Sequence, residues 1–303
     1  MASIAIKEKV NFGGWKNCLK FSNAEIELIV TTDIGPRILF FGYKNSENLL
    51  YVNPDQAGMQ GGNEWRIYGG HRLWLSPETF PETFVPDNNP VHYSIDKNRI
   101  TLTQPEDTLT GVSKEIGITL FPDKNELLLS HKLIKVTGKD IEVAPWAITA
   151  FAPNGCVILP QEPYIDENDF YLPARLVALW HYTRMDDTRW KWGNKFIIAK
   201  QDPHISHPQK IGLLNKQGWA AYYLNGQLVI KILETVTTQS YPDFGCNNEV
   251  YFNDKLIELE TLGPLVNLSK GLTIEHTERW LLNQVNLQSL TEDEIENKIS
   301  DFL

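Results

Sequence analysis

Only three cysteines occur in the 303 residues, Cys18, Cys156 and Cys246, and they lie far apart. An odd, dispersed set without a Cys-x-x-Cys pair excludes a disulfide framework and a zinc ribbon. Reduced, mostly buried thiols in a cytoplasmic protein are therefore expected. Positive charge is also scarce: 28 Lys and Arg face 38 Asp and Glu, for a formal charge of −10, and no basic run appears. Nucleic-acid and membrane partners need a concentrated positive field, so neither is expected. No apolar stretch is long enough to span a bilayer. Met1–Val10 alternates charged and apolar residues where a signal peptide needs a continuous apolar run. Repeats, low-complexity tracts and Gly-, Ser- or Pro-rich linkers are missing as well, and residues 1–303 read as a single domain.

Several chemistries are excluded in the same way. A Gly-x-Ser-x-Gly elbow is missing, and no cysteine has a histidine near it in sequence, so nucleophilic acyl transfer has no support. The Gly69-Gly70 pair lacks the Gly-Lys-Ser/Thr ending of a phosphate-binding loop and opens no helix. His204-Ile205-Ser206-His207 sits between Pro203 and Pro208, which oppose a helix, and has no evident third ligand. No metal and no cofactor is expected.

Aromatic residues are plentiful: nine Trp, eleven Tyr and thirteen Phe. Alternating runs rich in β-branched and aromatic residues recur at Glu25–Thr32, Arg37–Tyr43, Arg99–Gln104, Val112–Phe121, Glu126–Val136, Gly218–Leu224, Gln227–Thr235 and Leu272–Leu282. Turn residues separate them, the clearest being Asn225-Gly226, whose positive φ angles suit a two-residue hairpin. Long amphipathic helices do not alternate with these runs. The fold class is therefore all-β, a large antiparallel β-sandwich. One short C-terminal helix is expected on a sheet edge, from the capping box Thr291-Glu292-Asp293-Glu294 and the spacing of Ile295, Ile299 and Phe302. Asn53–Pro90 and Gln161–Asn194 break the strand rhythm and are too long for hairpin connections, which suggests binding loops.

Two constellations carry chemistry. In Trp65–Trp74, followed by Pro77-Glu78, paired glycines permit close backbone approach, to a ligand or to another strand. His71 can exchange a proton near neutral pH, and Arg72 offers a planar fork of donors. Trp65 and Trp74 can present apolar faces to a pyranose ring. The second constellation joins Tyr241–Gly245, with Asp243, to Asn247–Tyr251, with Glu249, and to Leu256–Pro264. Strand alternation puts Glu258 and Glu260 on one face; if that face lines a cleft, an apolar surround raises a carboxyl pKa into the range useful for acid–base work. Arg189-Trp190-Lys191-Trp192 is either a stacking element over the ligand mouth or a surface turn.

These segments together resemble the galactose mutarotase-like superfamily, in a branch distinct from the true aldose 1-epimerases. The resemblance rests on Thr32–Ile38 with Asn48-Leu49-Leu50, on Gly69-Gly70, and on Leu259-Glu260-Thr261 followed by Leu268–Gly271 and Thr277–Trp280. It implies an antiparallel supersandwich with a sugar cleft on its concave face. A glutamate, here Glu260, would act as base on the anomeric hydroxyl, and a histidine, here His71, would protonate the ring oxygen. Two departures are visible. His71 follows the glycine pair where the family places its histidine before one, and the mid-chain Ala144-Pro145-Trp146 has no histidine. The expected partner is a carbohydrate small molecule, a free or phosphorylated hexose, contacted by Arg37, Arg72, Trp65, Trp74, Trp146, Asp243 and Glu249. A non-catalytic carbohydrate-binding protein is the first alternative. A glycoside hydrolase or lyase using Glu78 and Glu260 is the second.

Overall fold

The computed structural model describes residues 3–303, and they fold almost entirely into β-strands. Two large antiparallel sheets face each other. The eleven-stranded sheet runs, in spatial order, through Ala5–Phe12, Trp15–Ser22, Ile26–Thr31, Arg37–Tyr43, Gly70–Ser76, Ile141–Phe151, Ile257–Leu262, Asn248–Phe252, Gln209–Leu213 and Val177–Leu179, with Val266–Leu268 added beside Ile141–Val143. The ten-stranded sheet runs Trp190–Trp192, Phe196–Lys200, Cys156–Pro160, Trp219–Leu224, Gln227–Leu233, Thr273–Gln284, Glu126–Lys135, Val112–Leu120, Arg99–Gln104 and His92–Asp96. Alternate side chains of both sheets meet in one contiguous apolar core that includes Leu28, Phe41, Leu73, Ile116, Leu129, Phe151, Tyr222, Leu259 and Trp280.

All eight expected strand runs form, within a few residues at each end. Asn225 and Gly226 take φ of 48° and 84° and close the hairpin between Trp219–Leu224 and Gln227–Leu233, with Leu224 paired to Gln227. Two expectations need correction. Asn53–Pro90 is not wholly a loop, because Gly70–Ser76 is a central strand inside it. Its start explains the glycine pair. A Cβ on Gly69 would collide with the Tyr51 carbonyl, and one on Gly70 with the Ile38 carbonyl, so the pair serves strand-to-strand approach. The helix Glu292–Ile299 is capped by Thr291, but it covers a sheet face and not an edge. Ile295 and Ile299 join Ile158, Ile198, Ala221 and Ile230, whose alternation points them away from the main core.

A polar cluster lies inside the sandwich. His71, His131, Lys231, His276 and Glu278 are all buried there. Hydrogen-bond chemistry fixes the protons. His131 Nδ1 is 3.0 Å from the His276 carbonyl and must donate to it; its Nε2 then accepts from His71 Nε2, 2.7 Å away. His71 Nδ1 accepts from the Thr149 hydroxyl at 2.9 Å, which in turn accepts from the Lys231 ammonium at 2.9 Å. Glu278 receives Lys231 at 2.8 Å, Trp280 Nε1 at 2.7 Å and the Thr261 hydroxyl. His71, His131 and Glu278 place ligand-type atoms within 4.8 Å of one another, but Lys231 already supplies the compensating positive charge. Burial pushes the Glu278 carboxyl up, but Lys231 and the surrounding His131, His71 and His276 together outweigh this and hold it below the usual carboxylate range.

A buried ion pair broken on one side strands its partner. Glu278→Leu is expected to lower the unfolding free energy by about 3–5 kcal/mol, and adding Lys231→Met should recover most of that loss. Urea unfolding of the two variants checks this; a single variant within about 1 kcal/mol of wild type would contradict the ion-pair account.

Candidate active site

The outer face of the eleven-stranded sheet, turned away from the second sheet, carries the pocket. Strand register brings together residues distant in sequence. One row across the sheet reads Arg37, Arg72, Ile148, Glu260, Glu249. A neighbouring row reads Glu258, Tyr251, Lys210, and a third pairs Trp74 with Trp146. Because the pleat alternates, these side chains share a face while His71, Thr149, Leu259 and Thr261 point into the core. The long first loop adds Trp65 and Ile67, the turn after Ser76 adds Glu78 and Phe84, and the second long loop adds Tyr182. The resulting cavity measures about 230 Å³.

Glu258 and Glu260 stand side by side but in different surroundings. Glu260 Oε2 accepts hydrogen bonds from Trp146 Nε1 at 2.7 Å and Lys210 Nζ at 3.0 Å, and no described residue donates to its Oε1. Lys210 also lies 2.8 Å from Glu249. Burial opposes the ammonium, but Glu249 and Glu260 together raise its pKa well above the ordinary value. Glu258 has only a long, 3.5 Å contact with Arg72 Nη2. Burial lifts its carboxyl to about 7, with the Arg72 charge pulling the other way. The Arg72 guanidinium in turn lies 4.1 Å over the Trp74 ring. Burial also raises the Glu78 carboxyl.

The structure sorts the expected site residues. Glu260, Arg72, Trp65, Trp74 and Trp146 all line the cavity. His71 does not: it is wholly buried on the opposite face of the sheet, so it and Glu260 share no pocket, and burial followed by the His131 neighbour depresses its pKa far below the ordinary value. The pairing of Glu260 with His71 is therefore corrected. His71 departs because it is odd-numbered in a strand whose even-numbered residues face the cavity. Arg37 is 1% exposed and holds the Gly69 carbonyl and Asp87, outside the cavity wall. Glu249 lies behind Glu260 as the second partner of Lys210. Asp243 sits off the cavity wall in the turn Tyr241–Gly245, with φ of 51°. Arg189 and Trp190 are buried in the other sheet's edge, with Arg189 2.9 Å from Asp187, and do not overhang the pocket. Lys210, Tyr251, Tyr182 and Phe84 are pocket residues that sequence reasoning missed. Lys210 and Tyr251 lie at alternating positions in strands, a signal that period alone offers; Tyr182 and Phe84 come from the two long segments expected as binding loops, a signal that marks the segment and not the residue.

No protein-family model matches the sequence, and no curated protein sequence matches it. Solved structures do match. A galactose mutarotase-like protein from Lactobacillus casei superposes over 88% of this chain and all of its own, with a TM-score of 0.58 and 11% identity. The fold is galactose mutarotase-like. A galactose mutarotase related enzyme from Lactobacillus acidophilus matches 88% of this chain and 99% of its own, with a TM-score of 0.53 and 12% identity. A TPR-domain containing protein from Parabacteroides distasonis matches 91% of this chain at a TM-score of 0.61 and 15% identity; the match spans 48% of that larger protein. At such identities the galactose mutarotase-like relation is one of fold.

The Glu258 carboxyl generates a pH prediction. Its folded pKa of about 7 lies above the ordinary 4.5, so the contribution it makes to stability is complete below about 4.5 and lost as pH rises through about 7. Glu258→Gln removes this loss. The stability of the variant relative to wild type is expected to rise between about pH 5 and about pH 8 in urea unfolding. A flat difference, or one of opposite slope, would contradict the assigned environment.

Proposed function

We propose that the pocket binds a sugar ring and interconverts its anomers, in the manner of an aldose 1-epimerase. The observation that carries this reading is the pairing of Glu258 and Glu260, two positions apart on one strand face, against an aromatic wall. The cavity is smaller than the roughly 300–1,000 Å³ of drug-sized sites, which suits one monosaccharide ring. Trp65, Trp74 and Trp146 offer surface to the ring's C–H faces, and the carboxylates, Arg72 and Lys210 offer partners for its hydroxyls. Both cations are already engaged by carboxylates, which favours an uncharged hexose over a phosphorylated one.

The chemistry needs one base and one acid. Glu260, oriented by Lys210 and Trp146, takes the proton of the anomeric hydroxyl through its free Oε1. As the bond between the anomeric carbon and the ring oxygen breaks, protonated Glu258 delivers its proton to that oxygen. Rotation of the open-chain aldehyde and reversal of both transfers closes the other anomer. Carboxyls whose surroundings differ can divide acid and base roles in this way. One observation favours a second reading, a sugar-binding protein without turnover: among the described residues, none that lines the cavity carries an imidazole.

Exchange NMR between the anomers of glucose, galactose and glucose 6-phosphate separates the two. Acceleration of at least one sugar is expected, with a loss of roughly 10²–10⁴-fold in Glu258→Gln and in Glu260→Gln. The rate should fall as pH rises past about 7, where Glu258 loses its proton. Ring binding without acceleration would support the binding-only reading, and no binding would reject both.

A further inference from the structure

The aromatic wall does not stop at the cavity. Trp146 and Trp74 rings lie 5.6 Å apart, Trp74 and Trp65 5.7 Å, and Phe84 lies 5.3 Å from Trp74 and 5.5 Å from Trp65. Phe80 continues the series 6.0 Å beyond Phe84. Exposure rises along this path, from 3% at Trp146 and 5% at Trp74 to 36% at Trp65 and 83% at Phe80. A contiguous line of rings thus leads from the pocket floor to solvent. Other aromatics, such as Tyr171 and Phe244, are equally exposed, but neither joins the ring contacts of the cavity.

Phe80 is also held out by a constructed turn. Thr83 N donates to the Thr79 carbonyl at 2.9 Å, Thr79 N to the Thr83 hydroxyl at 2.9 Å, and Phe84 N to the Pro81 carbonyl at 3.1 Å. The Thr83 hydroxyl, 1% exposed as a residue, reaches the Leu75 carbonyl at 3.3 Å and ties the turn to the end of Gly70–Ser76. The turn that supplies Glu78 to the cavity therefore positions Phe80 beside it. An exposed large apolar patch continuous with a binding cavity marks a ligand surface.

We propose that the site takes a reducing oligosaccharide of two or more linked rings, with the reducing ring in the cavity and the next ring stacked on the Phe80–Phe84 surface. This rests on the sugar reading of the pocket. The cavity holds one ring, and its two carboxyls require a free anomeric carbon there, so further rings extend outward. The outward path is lined with aromatic faces, against which the C–H groups of a pyranose pack favourably. The bond to the second ring is not cleaved; Phe80 and Phe84 determine ligand length and take no part in proton transfer.

Titration calorimetry of the full chain tests this with glucose against maltose and cellobiose, and galactose against lactose. At least one disaccharide is expected to bind roughly five- to tenfold tighter than its monosaccharide. Phe80→Ala should bring that disaccharide down to the monosaccharide's affinity without altering monosaccharide binding, and Phe80→Tyr should retain the gain. Phe80 is solvent-exposed, so its replacement leaves the core intact. Disaccharides no tighter than monosaccharides, or a gain untouched by Phe80→Ala, would overturn the extended site and leave the single-ring pocket standing. Failure of every sugar of both sizes to bind would reject the sugar reading and the extension together.

Discussion

Pleat parity in the central strands of the larger sheet governs everything described above. Along Gly70–Ser76, Ile141–Phe151 and Ile257–Leu262, one set of alternate residues faces the second sheet and the other faces the outer surface that carries the pocket. A slip of one residue would exchange Arg72, Ile148 and Glu260 for His71, Thr149 and Leu259. The two faces carry different polar chemistry. Inward lies a closed network in which each proton of the histidines, threonines and Lys231 has an acceptor; outward lies an open array in which Glu260 keeps an unengaged oxygen and Glu258 only a long contact to Arg72. These three strands thus carry parts of a satisfied core cluster and of an unsatisfied site on opposite sides of one backbone layer.

The two clusters use burial differently. Around Glu278, burial is offset by an ammonium at 2.8 Å and two neutral donors, so the charged form persists. Around Glu258, burial is opposed mainly by an arginine at 3.5 Å that also lies over Trp74, so the carboxyl rises to about 7. The distinction follows the general rule that a paired, hydrogen-bonded carboxylate is structural, whereas a desolvated and weakly paired one is available for proton exchange.

Much of the fold was legible in the sequence because the period-two alternation of the outer strands and the Asn225-Gly226 turn are local signals. Gly70–Ser76 was less legible. Its run is flanked by loop chemistry on both sides, and its glycine pair reads equally well as a ligand cradle until the Tyr51 and Ile38 carbonyls are seen against it. The site was legible in part. Alternation alone placed Glu258 with Glu260, but which face meets solvent depends on the second sheet, a long-range fact. For the same reason His71 was drawn toward the pocket by its sequence neighbours Arg72 and Trp74, when adjacency along a strand in fact separates faces. Lys210, Tyr182 and Phe84 arrive from segments far away in the chain, and only the assembled sheet brings them to the two glutamates.

The most direct test of this parity is a crystal structure of the protein soaked with galactose or glucose. The account predicts a sugar ring against Trp65 and Trp74, its anomeric hydroxyl within hydrogen-bond reach of Glu260, and the sheet backbone between it and His71. A ring bound elsewhere, or one touching the His71 imidazole, would contradict it.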